Sequence, residues 1–349
     1  MSVQQPETVL SIDLGRTSTK ACTSSDPDQV ILIPANVAHL DVDQVRRGSG
    51  LSGLTDRLVD LWLEYQGQGY AIGQLAADLG ANLGVGQSKV DDALVKVLAC
   101  IGYFGLNSDC NIVIGIPYHT QEQFEREKFQ LMALLRSSHS LRFRGEPLSV
   151  SVKNVWVVPE GYGSLLWCQS QSMTHKNGSP SFARLAVAIV DIGHQTTDFL
   201  MVDRFRFARG ASQSLQVAMS QFYEQVASQI EGADSQSLSL IQAVCAPTGE
   251  RFYRPRGARQ RTDLNEILPA LQKSFARTLS NRLLDWLPER ATDVILSGGG
   301  GEFFAESLKP LLSEAGLTTH LAQPSRLANA LGQWLYGAAQ IQPLSTSVS

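Results

Sequence analysis

The stretch Val9–Lys20, VLSIDLGRTSTK, and the stretch Val187–Asp198, VAIVDIGHQTTD, are two copies of one pattern. In each copy an apolar segment leads into Asp-x-Gly, and hydroxyl residues follow the glycine. Segments rich in Val and Ile favour β-strands, and Asp and Gly are common where a chain turns. We therefore predict a strand, a tight turn whose glycine takes a positive φ, and a returning strand in each copy. Such an internal repeat predicts two domains built on one plan.

Each predicted turn has the composition of a phosphate-binding element. Successive backbone N–H groups in a turn bind anions, and Ser or Thr hydroxyls add donors toward phosphate oxygens. A plain hairpin turn would explain one copy alone, but the matched positions of two copies favour a polyphosphate site. The predicted binding residues are Gly15, Arg16, Thr17, Ser18, Thr19 and Lys20 in the first copy and Gly193, His194, Gln195, Thr196 and Thr197 in the second.

Asp13 and Asp191 lie at the ends of the two predicted strands and carry like charge. Carboxylates beside bound phosphates need a cation, and Mg²⁺ binds through one or two carboxylates together with phosphate oxygens. Asp13 and Asp191 are therefore the predicted metal ligands. Lys20 is expected to reach a phosphate as a point charge. His194 is interpreted as an exposed turn histidine without a catalytic role, because nothing near it in sequence would orient its ring.

Composition sets the protein class. The chain has 349 residues, of which 43% are hydrophobic and 18% charged, as in a globular protein of about two domains. The net charge of −4 excludes a global basic field that would hold nucleic acid or an anionic membrane. The five cysteines form no C-x-x-C pair, so we expect reduced, mostly buried thiols. Without a long apolar run or a signal peptide, the sequence predicts a cytoplasmic protein with no membrane insertion.

Alternating strand and helix patterns predict an α/β architecture with helices on both faces of the sheets. The predicted strands are 8–12, 30–33, 111–116, 155–158, 185–190, 198–203 and 293–296. Predicted helices follow a capping box at Thr120–Gln123 and run through 215–230 and 271–283. Pro269 leaves open a kinked helix or a short helix followed by a second one. The remaining segments 66–70, 84–88, 170–181, 247–261 and the end after Gln340 are predicted as loops or flexible ends.

The motifs together resemble those of the actin-like ATPases, the superfamily that includes the chaperone ATPase domain and the sugar kinases. Asp13–Lys20 matches the first phosphate motif, D-x-G-x-x-x-x-K, and Asp191–Asp198 resembles the second. Asp293–Gly301 resembles the adenosine motif, an apolar strand followed by a glycine-rich turn. The segments that connect the domains in this family resemble 157–163 and 324–332.

The resemblance implies an actin-like, ribonuclease H-like α/β fold with two lobes and a nucleotide cleft between duplicated domains. Domain I is expected at 1–158 with 324–340, domain II at 159–323, and a flexible tail at 341–349. The family further implies ATP, or GTP as the open alternative, together with Mg²⁺. The implied catalytic residues are Glu160, which polarises the attacking water, Asp13 and Asp191. Gly298, Gly299 and Gly300 are implied to contact the adenosine.

Within the superfamily the chain is most similar to ParM-type and archaeal actin-like proteins. This implies a filament-forming ATPase whose hydrolysis controls assembly, with a role in plasmid or DNA segregation or in cell organisation. Its partners would be further copies of the chain and a DNA-bound adaptor protein. A sugar or acid kinase and a non-hydrolysing nucleotide-binding scaffold are the alternatives.

The segment 251–261 combines arginines with Phe252 and Tyr253. Such a composition is found at nucleic-acid and protein interfaces. A solvated loop is the favoured interpretation and direct nucleic-acid binding is disfavoured, because the chain is acidic overall. A contact between filament subunits is a further hypothesis for this loop.

Overall fold

The computed structural model describes residues 7–48, 56–83, 89–174 and 181–341. The chain divides into two compact units. Unit 1 comprises residues 1–170 and 327–349, and unit 2 comprises residues 171–326. None of the helices in the described ranges combines the length and apolar character needed to cross a membrane.

Unit 1 is built on a sheet that has nine strands within the described residues. The strands are β1 (Thr8–Leu14), β2 (Ser18–Cys22), β3 (Ile31–Pro34), β4 (Val37–Leu40), β5 (Leu61–Tyr65), β6 (Gln68–Ile72), β7 (Asp109–Ile116), β8 (Ser138–Phe143) and β9 (Glu146–Pro159). Their order across the sheet is β3-β2-β1-β7-β9-β8-β5-β6-β4. Strand β1 is antiparallel to β2 and parallel to β7, and β7 is parallel to β9. Every residue of β1 from Val9 to Leu14 is buried, as expected for a strand covered on both faces.

Helices of unit 1 follow the strands. They are α1 (Val42–Gly48), α2 (Gln74–Asp78), α3 (Ala93–Phe104), α4 (Gln121–Leu135) and α5 (Tyr162–Thr174). The capping box that predicts α4 is confirmed, because the Gln123 N–H donates to Thr120 Oγ1 at 3.2 Å. Phe124, Leu131 and Leu135 form the buried face of this helix.

Unit 2 repeats the plan of unit 1. Its strands are β10 (Ala186–Ile192), β11 (Thr197–Asp203), β12 (Arg206–Phe207), β13 (Gln213–Leu215), β14 (Phe252–Tyr253), β15 (Thr262–Asp263), β16 (Asp293–Ser297) and β17 (Thr318–Leu321). The main sheet has the order β12-β11-β10-β16-β17, and β13 pairs with β11. This order and its strand directions match those of β3-β2-β1-β7-β9. The duplication predicted from the sequence repeat is therefore confirmed.

The helices of unit 2 are α6 (Met219–Ala227), α7 (Leu238–Cys245), α8 (Leu268–Trp286) and α9 (Gly298–Glu314). Phe222, Phe275 and Phe304 form an aromatic core between them, with ring centroids 5.1–5.5 Å apart. The prediction of a helix from Leu215 is wrong at its start, because Leu215 belongs to β13 and pairs with Thr197. Pro269 lies in the first turn of α8, where a missing N–H costs nothing, and a short 3₁₀ turn precedes it.

Helix α10 (Ala328–Ile341) returns the chain to unit 1 and crosses α5 at close range. A Cβ at Gly332 would lie 2.9 Å from the Gly163 Cα and closer still to its carbonyl, so the two backbones touch. Asn329 Oδ1 accepts the N–H groups of Gly161 at 3.0 Å and Ser164 at 3.3 Å. This contact keeps the first turns of α5 in unit 1. The units consequently divide at Ser170 and Arg326, where the sequence predicts divisions at 158 and 323.

Segments predicted as loops or ends are partly ordered secondary structure, and residues 170–174 of the predicted loop 170–181 belong to α5. Residues 66–70 are the turn and second strand of the β5–β6 hairpin, with Gln66 at φ 50° and Gly67 at φ 79°. Helix α10 continues to Ile341, so the tail predicted at 341–349 starts at least one residue too early. The rest of that tail, and the predicted loop 84–88, lie outside the described residues.

Candidate functional site

The first predicted phosphate turn, Gly15–Thr17, joins β1 to β2. The Gly15 N–H donates to the Asp13 carbonyl at 3.0 Å, which closes the turn. Gly15 does not have the positive φ that the sequence predicts. Glycine is required here by space, because a Cβ would lie 2.5 Å from the Ser18 carbonyl oxygen and 2.9 Å from Lys20 Nζ. The turn is therefore packed against its own returning strand.

Asp13 and Lys20 are cross-strand neighbours in the β1–β2 hairpin. Lys20 Nζ lies 3.0 Å from Asp13 Oδ2, and the two side chains are 14% and 8% exposed. The seven-residue spacing of the D-x-G-x-x-x-x-K motif therefore places the two charges opposite each other across the hairpin. The carboxylate of Asp13 is balanced by a lysine of the same hairpin.

Two hydroxyls beside this ion pair are buried without a partner. Ser18 Oγ and Thr19 Oγ1 have no hydrogen-bond partner among the described residues. An unsatisfied buried hydroxyl costs about 1–3 kcal/mol, so such an atom points to a missing ligand. Side chains point alternately to the two faces along a strand. Ser18 therefore lies on the same side of β2 as Lys20, and Thr19 lies on the other side.

Arg16 is half-buried at the tip of the same turn. Burial lowers the pKa of its guanidinium, and the negative charges of Glu127 and Asp91 act in the opposite direction. The positive charge of Arg16 is therefore stabilised by carboxylates of unit 1. Thr17 is half-buried, and its carbonyl accepts the Ala35 N–H at 3.0 Å, which fixes the turn to the segment after β3.

Glu160 lies at the end of β9, directly after Pro159. Its N–H donates to the Ile116 carbonyl at 2.8 Å, so the end of β7 holds its backbone. The residue is 8% exposed, and its Oε1 forms an ion pair with Lys89 Nζ. Lys89 is absent from the residues predicted from the sequence. No motif marks it, because it approaches Glu160 only through the tertiary fold.

The second predicted phosphate turn, Gly193–Thr196, joins β10 to β11. The Gly193 N–H donates to the Thr196 carbonyl at 2.9 Å, and Gly193 also lacks a positive φ. The carbonyls of Gly193 and His194 accept the N–H groups of Met219 at 3.2 Å and Ser220 at 2.8 Å. The first residues of α6 therefore hold this turn in place.

Asp191 and Asp198 are cross-strand neighbours at the positions that Asp13 and Lys20 occupy in the first hairpin. Both are buried, at 8% and 3% exposure. Thr196 Oγ1 donates to Asp198 Oδ2 at 3.1 Å, and Thr197 Oγ1 donates to the Val217 carbonyl at 2.6 Å. The two hydroxyls predicted to bind phosphate thus donate within unit 2. A pair of buried carboxylates, where the first hairpin has a carboxylate and an ammonium, suits a hard divalent cation.

His194 is half-buried, contrary to the exposed position expected for it. Its ring centroid lies 5.8 Å from that of Tyr223 on α6. Burial lowers the pKa of its imidazole, so the neutral ring is favoured in the folded protein. Gln195, next to it in the turn, is also half-buried.

The glycine-rich segment predicted as a turn is the first turn of α9. Gly298 has φ 77°, and a Cβ there would meet Asp191 Oδ1 and lie 3.0 Å from the Ile192 carbonyl carbon. A Cβ at Gly300 would lie 2.9 Å from Ile192 Cβ, whereas a Cβ at Gly299 would meet nothing within 4 Å. Glycines thus bring the α9 N-terminus against the end of β10. The structure thereby unites Asp191 with Gly298 and Gly300 in unit 2.

In the segment 251–261, Arg254 and Arg256 are exposed, and Phe252 is 45% exposed. Arg254, Arg261 and Phe252 line an open cavity of unit 2 together with Glu250 and Gly249. The predicted solvated loop includes a short β14–β15 pairing that holds this surface in place.

Comparisons with known proteins match both halves of the chain. A family model described as the N-terminal domain of actin-like proteins matches residues 11–163. A second, described as the C-terminal domain of the archaeal actin homologue MreB-like proteins, matches residues 189–310. No curated protein matches the chain.

Solved structures of actin-like proteins share the fold over nearly the whole chain. The actin-like protein Alp7A has a TM-score of 0.72 at 15% identity, covering 96% of this chain and 97% of its own. The ParM of a 15-stranded filament from Clostridium botulinum has a TM-score of 0.70 at 17% identity, covering 96% and 100%. The archaeal actin homologue Ta0583, in complex with ADP, has a TM-score of 0.70 at 17% identity, covering 95% and 99%. With its α/β actin-like fold and both family models in order, the chain belongs to the actin-like ATPase superfamily.

Proposed function

We propose that the protein is a filament-forming actin-like ATPase whose binding and hydrolysis of Mg-ATP control assembly. The observation that carries the proposal is the pair of matching hairpins with buried charges at equivalent positions. Asp13 and Lys20 lie opposite each other in the first hairpin, and Asp191 and Asp198 in the second. The partnerless hydroxyl of Ser18 beside Lys20 supports an oxygen-rich ligand at the first hairpin.

The residues present fit a magnesium ion and a nucleotide phosphate chain. Asp191 and Asp198 offer buried carboxylates, and Gly298 leaves the space beside Asp191 Oδ1 that a Cβ would fill. The proposed Mg²⁺ carboxylate of unit 1 is Asp13 and that of unit 2 is Asp191, each acting directly or through water. When bound, the ion neutralises phosphate charge as it develops. In unit 1, Lys20 is proposed to bind a phosphate oxygen.

Glu160 is proposed to orient and polarise the attacking water. A buried carboxylate at the end of a strand is held firmly enough to accept a hydrogen bond from that water. Phosphoryl transfer asks little covalent chemistry of a protein, so positioning of the water and electrostatic stabilisation supply most of the rate. The glycines at the start of α9 are proposed to lie against the adenosine, where Gly299 is open.

Self-association is proposed because the relatives of this fold include proteins solved as filaments. Assembly that depends on nucleotide suits a cytoplasmic role in plasmid or DNA segregation or in cell organisation, with a DNA-bound adaptor as partner. ATP is proposed ahead of GTP, and the fold family binds nucleotide, with ADP bound in one neighbour.

A titration with a fluorescent ATP analogue and Mg²⁺ tests the nucleotide site. We expect saturable binding that weakens by about 10- to 100-fold in Lys20→Met, because a charged hydrogen bond to phosphate is worth about 1.5–3 kcal/mol. Asp191→Asn should weaken binding in Mg²⁺ more than in EDTA. Lys153→Met is the matched control, because Lys153 is half-exposed and pairs with Asp109 on the surface of unit 1. No saturable binding to the wild-type protein would contradict the proposal.

A further inference from the structure

Lys89 forms an ion pair with Glu160 deep inside unit 1. The side chain of Lys89 is 7% exposed and that of Glu160 is 11% exposed. Few lysines are buried to this degree, since removing an ammonium from water is costly unless a partner compensates it. The motif lysine, Lys20, already pairs with Asp13. Lys20 and Lys89 are therefore each paired with a different carboxylate of unit 1.

Both members of the Lys89–Glu160 pair lie in turns next to regular structure. Glu160 directly follows β9, and its N–H donates to the Ile116 carbonyl at 2.8 Å. Lys89 lies just before α3, where the Ala93 N–H donates to the Val90 carbonyl at 3.2 Å. The first turns of α3 are anchored in the core through buried Ala93 and Val97. The geometry of the pair is thus set by the fold.

Two uncharged residues, Gly115 and Gln333, lie beside the Glu160 side chain. A Cβ at Gly115 of β7 would lie 3.6 Å from Glu160 Cγ and would also meet the amide of Gln333 of α10. Gln333 is fully buried. A carboxyl group in such surroundings takes up a proton unless a cation faces it. The ammonium of Lys89 supplies that cation.

We propose that Lys89 is a positioning residue for Glu160, whose ammonium keeps the carboxylate ionised and fixes its orientation for the attacking water. This inference rests on the proposed function, because it assigns Lys89 a role through the glutamate of that reaction. A carboxylate accepts several hydrogen bonds at once, so binding Lys89 through Oε1 leaves it able to accept one from water. A protonated Glu160 could not accept the proton of that water.

The test is steady-state phosphate release from Mg-ATP by the full chain between about pH 6 and pH 9. We expect Lys89→Met to lower kcat by about 10- to 100-fold while KM changes by less than about 2-fold. Its rate should rise with pH across a range in which the wild-type rate is level, because the unpaired carboxyl loses its proton at higher pH. Lys89→Arg, which keeps the charge, should recover most of the rate.

Two further variants separate the proposal from its alternatives. In the background of Glu160→Gln, which removes the ionisable group, Lys89→Met should cause no further loss, because Lys89 acts through that group. Lys153→Met, which removes an exposed lysine of unit 1, should behave as the wild type. Should circular dichroism show Lys89→Met to be unfolded, Lys89→Gln takes its place, since it keeps a donor and removes only the charge.

The possible failures are distinguishable. A wild-type kcat and pH profile in Lys89→Met, with Glu160→Gln slow, would overturn the positioning role alone. A large rise of KM with unchanged kcat would also overturn it, because Lys89 would then act on the nucleotide. A Glu160→Gln variant as fast as the wild type would contradict the proposed role of Glu160, and with it the role of Lys89. A wild-type protein that binds but does not hydrolyse ATP would contradict the hydrolysis on which both rest.

Discussion

Replacing Gly332 with alanine tests the crossing of α5 and α10, the two helices through which the chain leaves and re-enters unit 1. The new Cβ would lie 2.9 Å from the Gly163 Cα. Two carbon atoms pack at about 3.5–4.0 Å, and the Gly163 carbonyl is closer still, so the helices must move apart by more than about one ångström. Because the obstacle is backbone, no side-chain rotation can relieve it. Asn329, one turn away, ties α10 to the Gly161 and Ser164 N–H groups and resists that movement.

Whether Gly332→Ala lowers or raises the free energy of unfolding shows whether the backbones of α5 and α10 touch. Overpacking typically costs about 1–3 kcal/mol, and a rigid backbone neighbour favours the upper end. Alanine in a helix gains about 1 kcal/mol over glycine from propensity alone. The net expectation is a loss of about 2 kcal/mol in the free energy of unfolding. For a unit of this size that lowers Tm by about 4–8 °C.

Urea unfolding followed by circular dichroism, with thermal unfolding in parallel, measures this loss. Gly249→Ala is the control, because a Cβ at Gly249 meets nothing within 4 Å and Gly249 has no positive φ. Its effect should stay within about 0.5 kcal/mol. A Gly332→Ala variant as stable as the wild type, or more stable, would refute the backbone contact, since propensity alone would then decide the outcome.

Three further predictions concern the surface loop, the second turn and the start of α9. The double variant Arg254→Glu with Arg256→Glu should weaken ATP-dependent assembly in a pelleting assay and leave nucleotide affinity unchanged. The double variant Lys273→Glu with Arg277→Glu, also at exposed positions, controls for the change of charge. Unchanged assembly in the Arg254 and Arg256 variant would show that the loop is not part of the interface. Burial lowers the pKa of His194 below its ordinary 6.5, so the unfolded chain binds the proton more readily and the protein loses stability as the pH falls below 6.5. The free energy of unfolding should therefore drop between about pH 7.5 and about pH 5.5, and this drop should be smaller in His194→Gln. An unchanged drop would contradict this role of His194. Gly298→Ala should weaken binding of the fluorescent ATP analogue, because a φ of 77° and the nearby Asp191 side chain leave no space for a Cβ. A Gly298→Ala variant that binds the analogue as tightly as the wild type would contradict this.

The repeat and its strands could be predicted from sequence because their determinants are local. Val9–Leu14 and Val187–Ile192 are continuous apolar runs that end in Asp-x-Gly, which suffices to specify a buried strand and a turn. The seven-residue spacing from Asp13 to Lys20 then fixes which side chains meet across the hairpin. Helix α4 was likewise specified by its capping box.

Other features depend on long-range packing and leave little trace in the sequence. A glycine in a turn does not reveal whether it is needed for a positive φ or for close approach; Gly15 and Gly193 serve the second purpose, and Gly298 serves both. Leu215 continues a helical period but belongs to β13, because the edge of β11 offers it backbone partners. The strand β6 follows a turn at Gln66–Gly67 without the usual Asn-Gly signal.

The Lys89–Glu160 pair is the part of the candidate site that sequence reasoning missed. Its members are 71 positions apart and lie on different elements. Neither the segment before α3 nor the end of β9 has a spacing that predicts their contact. Only the fold of unit 1, which brings the start of α3 toward the end of β9, creates it.

Right-angle light scattering of the purified protein, with phosphate release followed in the same sample, tests the central claim most directly. The account predicts that scattering rises when ATP and Mg²⁺ are added above a critical protein concentration, and that it falls as phosphate is released and ATP is consumed. Phosphate release that is stimulated by sugars or acids without any rise in scattering would indicate a kinase instead. A protein that binds ATP yet gives neither scattering nor phosphate at any concentration would contradict the account of an assembling ATPase.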